Sequence, residues 1–458
     1  MKNSFLQEFL VGALLFFMPL AYTYPGRIYY HIFALHNIDV TSLIHLFLLP
    51  SIIFAFVLIF LRIYQENYRF LIVHPKKDFL SIVIILLVLF ATISYLVNPK
   101  SNISTIKYMS IYVSLLLVHF SVKNLKLNER FYTNIFVWLA FGCVFILMLG
   151  VSSFVFSFNS LSLMHTWFDA IYLKSSNVLP HINIVAQKKS LHVADGIISP
   201  SMLPYLMNTF GNVDNTAAFL VLIIPPIFSQ LINKRSNVYH KILFGYVTIM
   251  ALINLVIVGS RAALVITLLS IISICFVRGR KFLFICLATL VILSSIMVVF
   301  APKYIYGEAT RVYRAATFNQ KLDYSVNERV QTIKKGLKKL RLHPFFGSGI
   351  NTQVKLQDRK TAVHQLNLRM AVDIGIFGGI MSIILCLLSF IIPIKIIFSK
   401  HRSEKLDLYA LSVGPAAFFA YGMLAGVPLA IGVVNTWIVI CVIFLTLSYY
   451  FKTINYER

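Results

Sequence analysis

Long apolar segments recur along almost the whole chain, separated by short polar loops. Each is nearly free of charge and long enough to cross about 30 Å of hydrocarbon as a helix. The pattern therefore predicts an all-α polytopic membrane protein with about 12 transmembrane helices, in which residues 1–458 form a single integral membrane domain. We place the spans at 7–24, 41–61, 79–97, 104–121, 132–157, 215–233, 242–259, 262–277, 282–301, 371–398, 407–424 and 428–450.

Two long segments interrupt this series, 158–214 and 302–370. The second is strongly basic, with fourteen Lys and Arg residues against four Asp and Glu residues. Such a polar segment cannot lie in hydrocarbon, so we predict a water-facing or interfacial loop between two spans. Its excess of positive charge indicates an anionic partner.

Composition supports the membrane assignment. Hydrophobic residues make up 59% of the chain and charged residues 12%, about half the charged fraction of a soluble domain. The net charge of +25 would favour nucleic acid as a partner, but most cations lie in short loops beside apolar spans. Membrane topology and anionic lipid explain cations there, so nucleic acid is excluded. All five cysteines fall within apolar segments, which argues against a disulfide framework.

The distribution of cations between alternate short loops predicts the orientation. One set of loops contains sixteen Lys and Arg residues, and the opposite set contains three, namely Arg27, Lys100 and Arg261. The positive-inside rule then places both termini in the cytoplasm. The loops 158–214 and 302–370 face the outside, because long loops are largely exempt from the rule. The apolar run at the N-terminus has no polar cleavage site and is expected to be a retained first span.

Within the basic loop, the sequence predicts an amphipathic helix. Ser325 and Glu328 have the spacing of a capping box, and Leu342-His343-Pro344 marks the end. An apolar stripe is flanked by lysines, as in a helix that lies on a membrane interface. A lipid-surface helix without chemistry is the simpler explanation of these lysines. The stripe consists of Val330, Ile333, Leu337 and Leu340.

Two residues stand out as candidates for chemistry. Arg261 follows Gly259-Ser260 on the side where cations are scarce, and its planar guanidinium suits a diphosphate. The alternative is an arginine that only extends to the interface. His364 lies just before a span, where an imidazole could take a proton from a sugar hydroxyl; a structural histidine is the alternative. The chain has no GxxxxGK[ST], HExxH or outer-loop DxD motif, so ATP hydrolysis and metal-assisted transfer lose support.

Several short motifs occur in a fixed order over residues 205–380, and together they resemble the O-antigen ligase and O-antigen polymerase superfamily of bacterial envelope glycosyltransferases. Two of them depart from the usual pattern: Gln365 follows the histidine where Asn is usual, and Ala262 follows the arginine where Gly is common. The motifs are Gly211-Asn212-Val213-Asp214-Asn215, Gly259-Ser260-Arg261, Asn327-Glu328-Arg329, His343-Pro344-Phe345-Phe346-Gly347-Ser348-Gly349, His364-Gln365-Leu366 and Asp373-Ile374-Gly375-Ile376-Phe377-Gly378.

The resemblance implies a donor glycan linked to undecaprenyl diphosphate, used at the periplasmic face of the bacterial inner membrane without metal, nucleotide or other cofactor. It implies that Arg261 and Arg329 bind the diphosphate and that His364 orients or deprotonates the acceptor hydroxyl, with inversion at the anomeric carbon. The substrate and lipid surface would further include Lys338, Arg341, His343 and Asn215.

Three functions remain open. The first is a ligase that transfers O-antigen to lipid A-core, and the second is a polymerase whose acceptor is another lipid-linked repeat unit. The superfamily motifs do not separate these two. The third is a transporter or flippase, which is disfavoured because the spans contain almost no ionisable residues and no internal repeat.

Overall fold

A computed structural model describes residues 2–20, 50–98, 103–155, 213–300, 324–425 and 438–450. Within these ranges it leaves out 67, 74–77, 124, 126, 128, 235, 259, 351, 353, 357–358, 362, 401, 440, 444 and 447–449. Almost all of the predicted loop 158–214 lies outside the described residues. The same holds for residues 302–323 of the basic loop, for residues 21–24 and 41–49 of the first two predicted spans, and for residues 428–437 of the last.

The described part is predominantly helical. One antiparallel hairpin departs from the all-α expectation. It consists of β1 (Val354–Leu356) and β2 (Arg359–Thr361). The helices are α1 (Lys2–Leu20), α2 (Pro50–Glu66), α3 (Phe79–Val97), α4 (Ile103–Val122), α5 (Glu129–Val155), α6 (Val213–Leu231), α7 (Val238–Val258), α8 (Arg261–Arg278), α9 (Arg280–Phe300), α10 (Tyr324–Leu342), α11 (Leu366–Ile374), α12 (Ile376–Ile397) and α13 (Leu406–Ala425).

The protein is a multi-pass membrane protein. In the part of the chain that the structure describes, four helices are long and apolar enough to cross a membrane. α3 coincides with the predicted span 79–97, and the helix break predicted near 259–261 falls between α7 and α8. The predicted total of about 12 spans stays a prediction. The four helices are Phe79–Val97, Val238–Val256, Arg261–Arg278 and Ile376–Ile397.

α6 and α13 form the centre of the described bundle and run antiparallel. Asp407, in the first turn of α13, accepts hydrogen bonds from Gln230 Nε2 (2.8 Å) and Asn233 Nδ2 (2.6 Å) at the end of α6. Further along, Gly414 packs so closely on the Leu222 carbonyl that a Cβ would approach its oxygen to 2.6 Å. The start of α6 and the end of α13 therefore lie at the same end of the bundle, which we call the site end.

Two of the sixteen cations used for the orientation are buried at the opposite end. Arg62 donates to the carbonyls of Phe120 (3.0 Å) and Lys123 (2.6 Å) at the end of α4, and it pairs with Glu66 (3.0 Å). Lys123 Nζ lies 3.0 Å from Asp78 Oδ2. Arg62 therefore caps the C-terminal carbonyls of α4, where a cation also complements the helix dipole. These cations stabilise the helix packing, and the orientation predicted from them stays a prediction.

The predicted span 371–398 is divided at Gly375. α11 ends at Ile374 and α12 begins at Ile376, so the spanning helix starts five residues later than predicted. The apolar sequence continues through the break and therefore gave no sign of it. Gly375 has φ +87°, a conformation outside the helix that glycine adopts without penalty.

The helix predicted in the basic loop is present as α10, and it ends at Leu342 as expected. Its apolar stripe does not form a single lipid-facing surface. Leu340 packs on the small cluster of Val354, Val363 and Val372, whereas Leu337 is exposed. The side of α10 that faces the protein carries Thr332 and Gly336. We call α10, the hairpin and α11 the outer module.

Candidate active site at one end of the helix bundle

Two glycine turns interlock beside α11. Gly347 (φ +70°) lies against the carbonyl of Asp373, and Gly375 lies against the carbonyl of Phe345. A Cβ would come within 2.5 Å of the Asp373 oxygen at the first position and within 1.8 Å of the Phe345 oxygen at the second. Only glycine allows both backbones this close approach. The His343–Gly349 turn is thereby fixed to the corner between α11 and α12.

Backbone hydrogen bonds hold this corner together. Ser348 N donates to the Val372 carbonyl (2.8 Å), and Ile376 N donates to the Pro344 carbonyl (2.8 Å). Both are long-range bonds that satisfy groups at the end of α11 and the start of α12. The first residue of α12 is therefore bonded directly to the turn that follows α10.

Asp373 is a buried carboxylate that contacts two separate segments of the chain. Its Oδ1 accepts from the backbone N–H of Thr352 (2.9 Å), and its Oδ2 lies 3.8 Å from Arg369 Nε, one helical turn earlier. Both charged side chains are almost completely buried. A buried carboxylate is tolerated only where it is paired and hydrogen-bonded. Asp373 therefore connects α11 to the segment that leads into the hairpin.

α3 supports the same corner from the bundle. Ser94 Oγ donates to the Asp373 carbonyl (2.8 Å), and Asn98 Nδ2 donates to the Gly347 carbonyl (3.3 Å). Phe90, one turn before Ser94 on the same helix, stacks on Phe377 with ring centroids 4.7 Å apart. These contacts fix the outer module relative to a membrane-spanning helix.

His364 precedes α11 and is half-buried. The next residue, Gln365, is the N-cap of the helix, and its side chain accepts a hydrogen bond from the Leu368 N–H. The preceding residue, Val363, is fully buried against Gly336 of α10, where a Cβ would lie 2.9 Å from Val363 Cγ2. His364 is thus held between a helix cap on one side and a packed valine on the other.

The other site residues predicted in this loop lie on or just after α10. Arg329 is half-buried and lies seven residues before Gly336, which places it about 10 Å along the axis on the same side of the helix. Lys338, Arg341 and His343 are exposed. The structure therefore separates Arg329, on the packed side, from these three residues at the surface.

Arg261 is the first residue of α8 and is exposed. Ser260 occupies the N-cap position with extended backbone, but its side chain makes no capping hydrogen bond. Instead, Ser260 Oγ lies 3.1 Å from the hydroxyl of Tyr421 on α13. A cation at a helix N-terminus opposes the helix dipole, so Arg261 does not stabilise α8. The arrangement presents a guanidinium and a helix N-terminus not capped by Ser260, two groups that bind anions.

Asn215 belongs to the first turn of α6, and its side chain lies outside the described part. Because α6 and α13 are antiparallel, this turn lies at the site end, as do Tyr421 and Ser260. α12 and α13 are consecutive antiparallel helices, which puts the start of α12, and with it α11 and His364, at that end too. The site end therefore contains Arg261, the backbone of Asn215 and the outer module, although Arg261 belongs to the bundle and His364 to the module.

Three supporting residues escaped the sequence analysis in this role. Tyr421 is an ordinary apolar-segment tyrosine in sequence, and Ser94 lies more than 270 positions from its partner, so neither gave a signal. Arg369 was one of fourteen loop cations, but its position four residues before Asp373 is the spacing of a helical ion pair. That spacing could have identified it.

No group of three or more His, Cys, Asp or Glu side chains suited to a metal ion occurs among the residues that the structure describes. The five cysteines are free thiols, and four of them are buried. The groups at the site end are thus arginines, a histidine and helix N-termini, a set suited to binding a phosphate and moving a proton.

These features define a multi-pass membrane protein whose polar module covers one end of a helix bundle. Comparison with protein families identifies the class: the O-antigen ligase family matches residues 246–383, from within α7 to within α12. The match confirms, over this part of the chain, the resemblance seen in the sequence. It includes Arg261, α10, the two glycine turns and His364, but not Asn215.

A comparison with curated proteins finds no match to the chain. The family supports a ligase-like or polymerase-like membrane glycosyltransferase of lipopolysaccharide biosynthesis, with lipid-linked glycans as its general class of substrate.

Proposed function

We propose that this protein is an O-antigen ligase of the bacterial inner membrane. It transfers O-antigen polysaccharide from undecaprenyl diphosphate to lipid A-core at the periplasmic face, with both termini in the cytoplasm. The loops 158–214 and 302–370 then lie in the periplasm. The reaction needs no cofactor or metal ion, and a single in-line displacement inverts the anomeric carbon.

The N-terminus of α8 is the observation that carries this proposal. Arg261 stands where the helix dipole already favours an anion, and the Ser260 hydroxyl is engaged by Tyr421 (3.1 Å) instead of capping the helix. A diphosphate bound there gains both a bidentate guanidinium and backbone N–H donors. These donors would stabilise the negative charge that develops as the diphosphate departs.

The outer module supplies the remaining groups. Arg329, on the packed side of α10, is the second diphosphate ligand. Lys338, Arg341 and His343 attract the anionic diphosphate of the donor from the exposed surface of α10 and the turn that follows it. Asn215, at the same end of the bundle, completes the substrate surface. We assign no metal ligand to any of them.

His364 acts on the acceptor. The imidazole takes the proton from the acceptor hydroxyl while the oxygen of that hydroxyl forms the bond to the anomeric carbon. The bond from the anomeric carbon to the diphosphate oxygen breaks at the same time, and the electron pair leaves with undecaprenyl diphosphate. The packing of Val363 on Gly336 and the Gln365 cap support this role, because they fix the backbone on both sides of His364.

An assay with purified protein tests the proposal by offering the lipid-linked glycan with either lipid A-core or a second lipid-linked unit. Transfer to lipid A-core is expected. Transfer only to the second lipid-linked unit would instead identify a polymerase, and movement of the intact lipid-linked glycan across the bilayer without a new glycosidic bond would identify a flippase. Arg261→Ala, Arg329→Ala and His364→Ala should each abolish transfer while the purified protein keeps its helix content; full activity would remove that residue from the mechanism.

A further inference from the structure

The turn between α10 and the hairpin exposes large apolar side chains on an otherwise basic module. Leu342 is 67% exposed, Phe345 61% and Phe346 39%. Residues 329–357 contain no Asp or Glu, and Lys338 and Arg341 are exposed on the last turn of α10. A soluble surface does not normally combine adjacent exposed aromatic residues with so one-sided a charge.

The position of this turn relative to the membrane follows from α12. That helix has 22 residues with a mean hydropathy of 2.6. Its length of about 33 Å is close to the hydrocarbon thickness, so its first residue lies at the membrane–water boundary. Ile376, that first residue, donates its N–H to the Pro344 carbonyl at 2.8 Å, and the Phe345 carbonyl rests on Gly375. The turn is therefore at the depth of the boundary.

The exposed surface of the turn is continuous with the lipid-facing surface of α12. Ile376 is 46% exposed, and Phe377 is 36% exposed beside its stacked partner Phe90. Aromatic side chains are enriched at this depth of a bilayer, and cations beside them favour anionic headgroups.

We infer that Leu342, Phe345 and Phe346 form an anchor that inserts into the outer leaflet, with Lys338 and Arg341 on anionic phospholipid headgroups. The partner is the lipid bilayer itself. The anchor replaces the stripe of α10 as the membrane contact, because Leu340 of that stripe packs inside the protein. It depends on α12 spanning the membrane, and its assignment to the outer leaflet rests on the proposed orientation; it does not depend on the glycosyl-transfer reaction.

Site-directed spin labelling of the full-length protein tests the anchor. The five native cysteines are replaced by alanine, and a nitroxide is attached at Phe345→Cys, Leu387→Cys or Lys400→Cys. Leu387 is 60% exposed at mid-span, and Lys400 is exposed in the loop after α12, so they calibrate lipid and water. The protein is reconstituted in phosphatidylethanolamine–phosphatidylglycerol vesicles, and collision rates with oxygen and a nickel chelate are compared.

The ratio of oxygen to nickel accessibility at position 345 is expected to be at least threefold above that at 400 and to approach that at 387. A ratio equal to that at 400, or low accessibility to both relaxants, would overturn the anchor. In phosphatidylcholine vesicles the label should become more accessible to nickel; an unchanged ratio would overturn the headgroup contact. Because no step requires transfer, failure of the anchor and failure of the proposed ligase activity are observed separately.

Discussion

The side-chain oxygens of Ser260 and Tyr421 lie 3.1 Å apart, although the two residues are separated by 161 positions in sequence. The contact keeps the Ser260 hydroxyl away from the first-turn N–H groups of α8, which it would otherwise cap. It also attaches the start of α8 to α13, one of the two central helices of the described bundle. Tyr421 is therefore a positioning residue for Arg261.

Replacing Tyr421 with Phe should weaken binding of the lipid-linked donor. Without the phenol, Ser260 Oγ can rotate onto the N–H groups of α8 and compete with the diphosphate. One neutral hydrogen bond contributes about 1 kcal/mol, so we expect KM for the donor to rise roughly fivefold with little change in kcat. Transfer kinetics with varied donor concentration measure this effect.

Ser260→Ala is the matched control, because it removes the same hydrogen bond but leaves no hydroxyl to cap the helix. Donor KM should stay near the native value in Ser260→Ala and return towards it in the double variant Ser260→Ala/Tyr421→Phe. If both single variants raise KM equally, the contact acts only by anchoring α8 and the capping argument fails.

Substituting Gly375 with Ala should disrupt the outer module. The residue has φ +87°, which costs an L-residue about 1–2 kcal/mol, and the new Cβ would lie 1.8 Å from the Phe345 oxygen. We expect a thermal midpoint lowered by several degrees and loss of transfer. Gly245→Ala is the control, since its Cβ meets only Leu231 Cδ1 at an ordinary 3.6 Å. Equal behaviour of the two variants would show that the close approach at Gly375 is not required.

The sequence predicted the helices better than the corner between them. Hydropathy places α3 correctly because an uncharged 19-residue segment with a mean hydropathy of 2.8 has no other stable location in a membrane protein. The same criterion merged α11 with α12, since the residues on both sides of Gly375 are apolar. The break follows from the Phe345 backbone, which arrives from 30 positions away and occupies the space of a Cβ.

The candidate site shows a similar division. Arg261 and His364 could be selected from sequence because their residue types have chemistry that apolar segments lack. The residues that hold them in place could not be selected, because Tyr421 and Ser94 are unremarkable in sequence and reach the site only through tertiary packing. In the sequence, Gly347 and Gly375 are only members of two motifs, and the structure shows that they are points of backbone contact.

Removing the Asp373 carboxylate should destabilise the protein strongly. Asp373→Ala leaves Arg369 buried without this counter-charge and removes the acceptor of the Thr352 N–H (2.9 Å). Breaking a buried pair in this way costs about 3–5 kcal/mol. Thermal unfolding in detergent should show a larger loss of stability for Asp373→Ala than for Asp373→Asn.

Asp373→Asn separates the two contributions, because its amide oxygen still accepts from Thr352. Adding Arg369→Met to Asp373→Asn removes the buried cation that has lost the Asp373 carboxylate and should recover part of the lost stability. A double variant less stable than Asp373→Asn would show that Arg369 contributes independently of Asp373.

Transfer should continue in excess EDTA. The charged groups assigned to the diphosphate are arginines and a helix N-terminus, which stabilise negative charge without a cation. The initial rate with EDTA is expected to stay within about twofold of the untreated rate, since none of the assigned steps uses a metal. A rate that falls to background and returns on adding Mg²⁺ would overturn the metal-independent mechanism.

Filling the contact between Gly336 and Val363 should reduce activity by displacing His364. A Cβ at Gly336 would lie 2.9 Å from Val363 Cγ2, so Gly336→Ala pushes α10 and the Val363–His364 backbone apart. Such overpacking typically costs about 1–3 kcal/mol. We expect the transfer rate of Gly336→Ala to fall at least tenfold, with kcat affected more than KM for the donor, because His364 acts on the acceptor.

Val363→Ala removes the methyl groups that the new Cβ meets and should restore much of the activity in the double variant. The four proteins form a double-mutant cycle, and residues in contact are expected to show a coupling of about 0.5–3 kcal/mol. Additive losses of activity would mean that the two side chains act separately and that α10 does not position His364 through this contact. Helix content measured for each purified variant distinguishes displacement of His364 from loss of the fold.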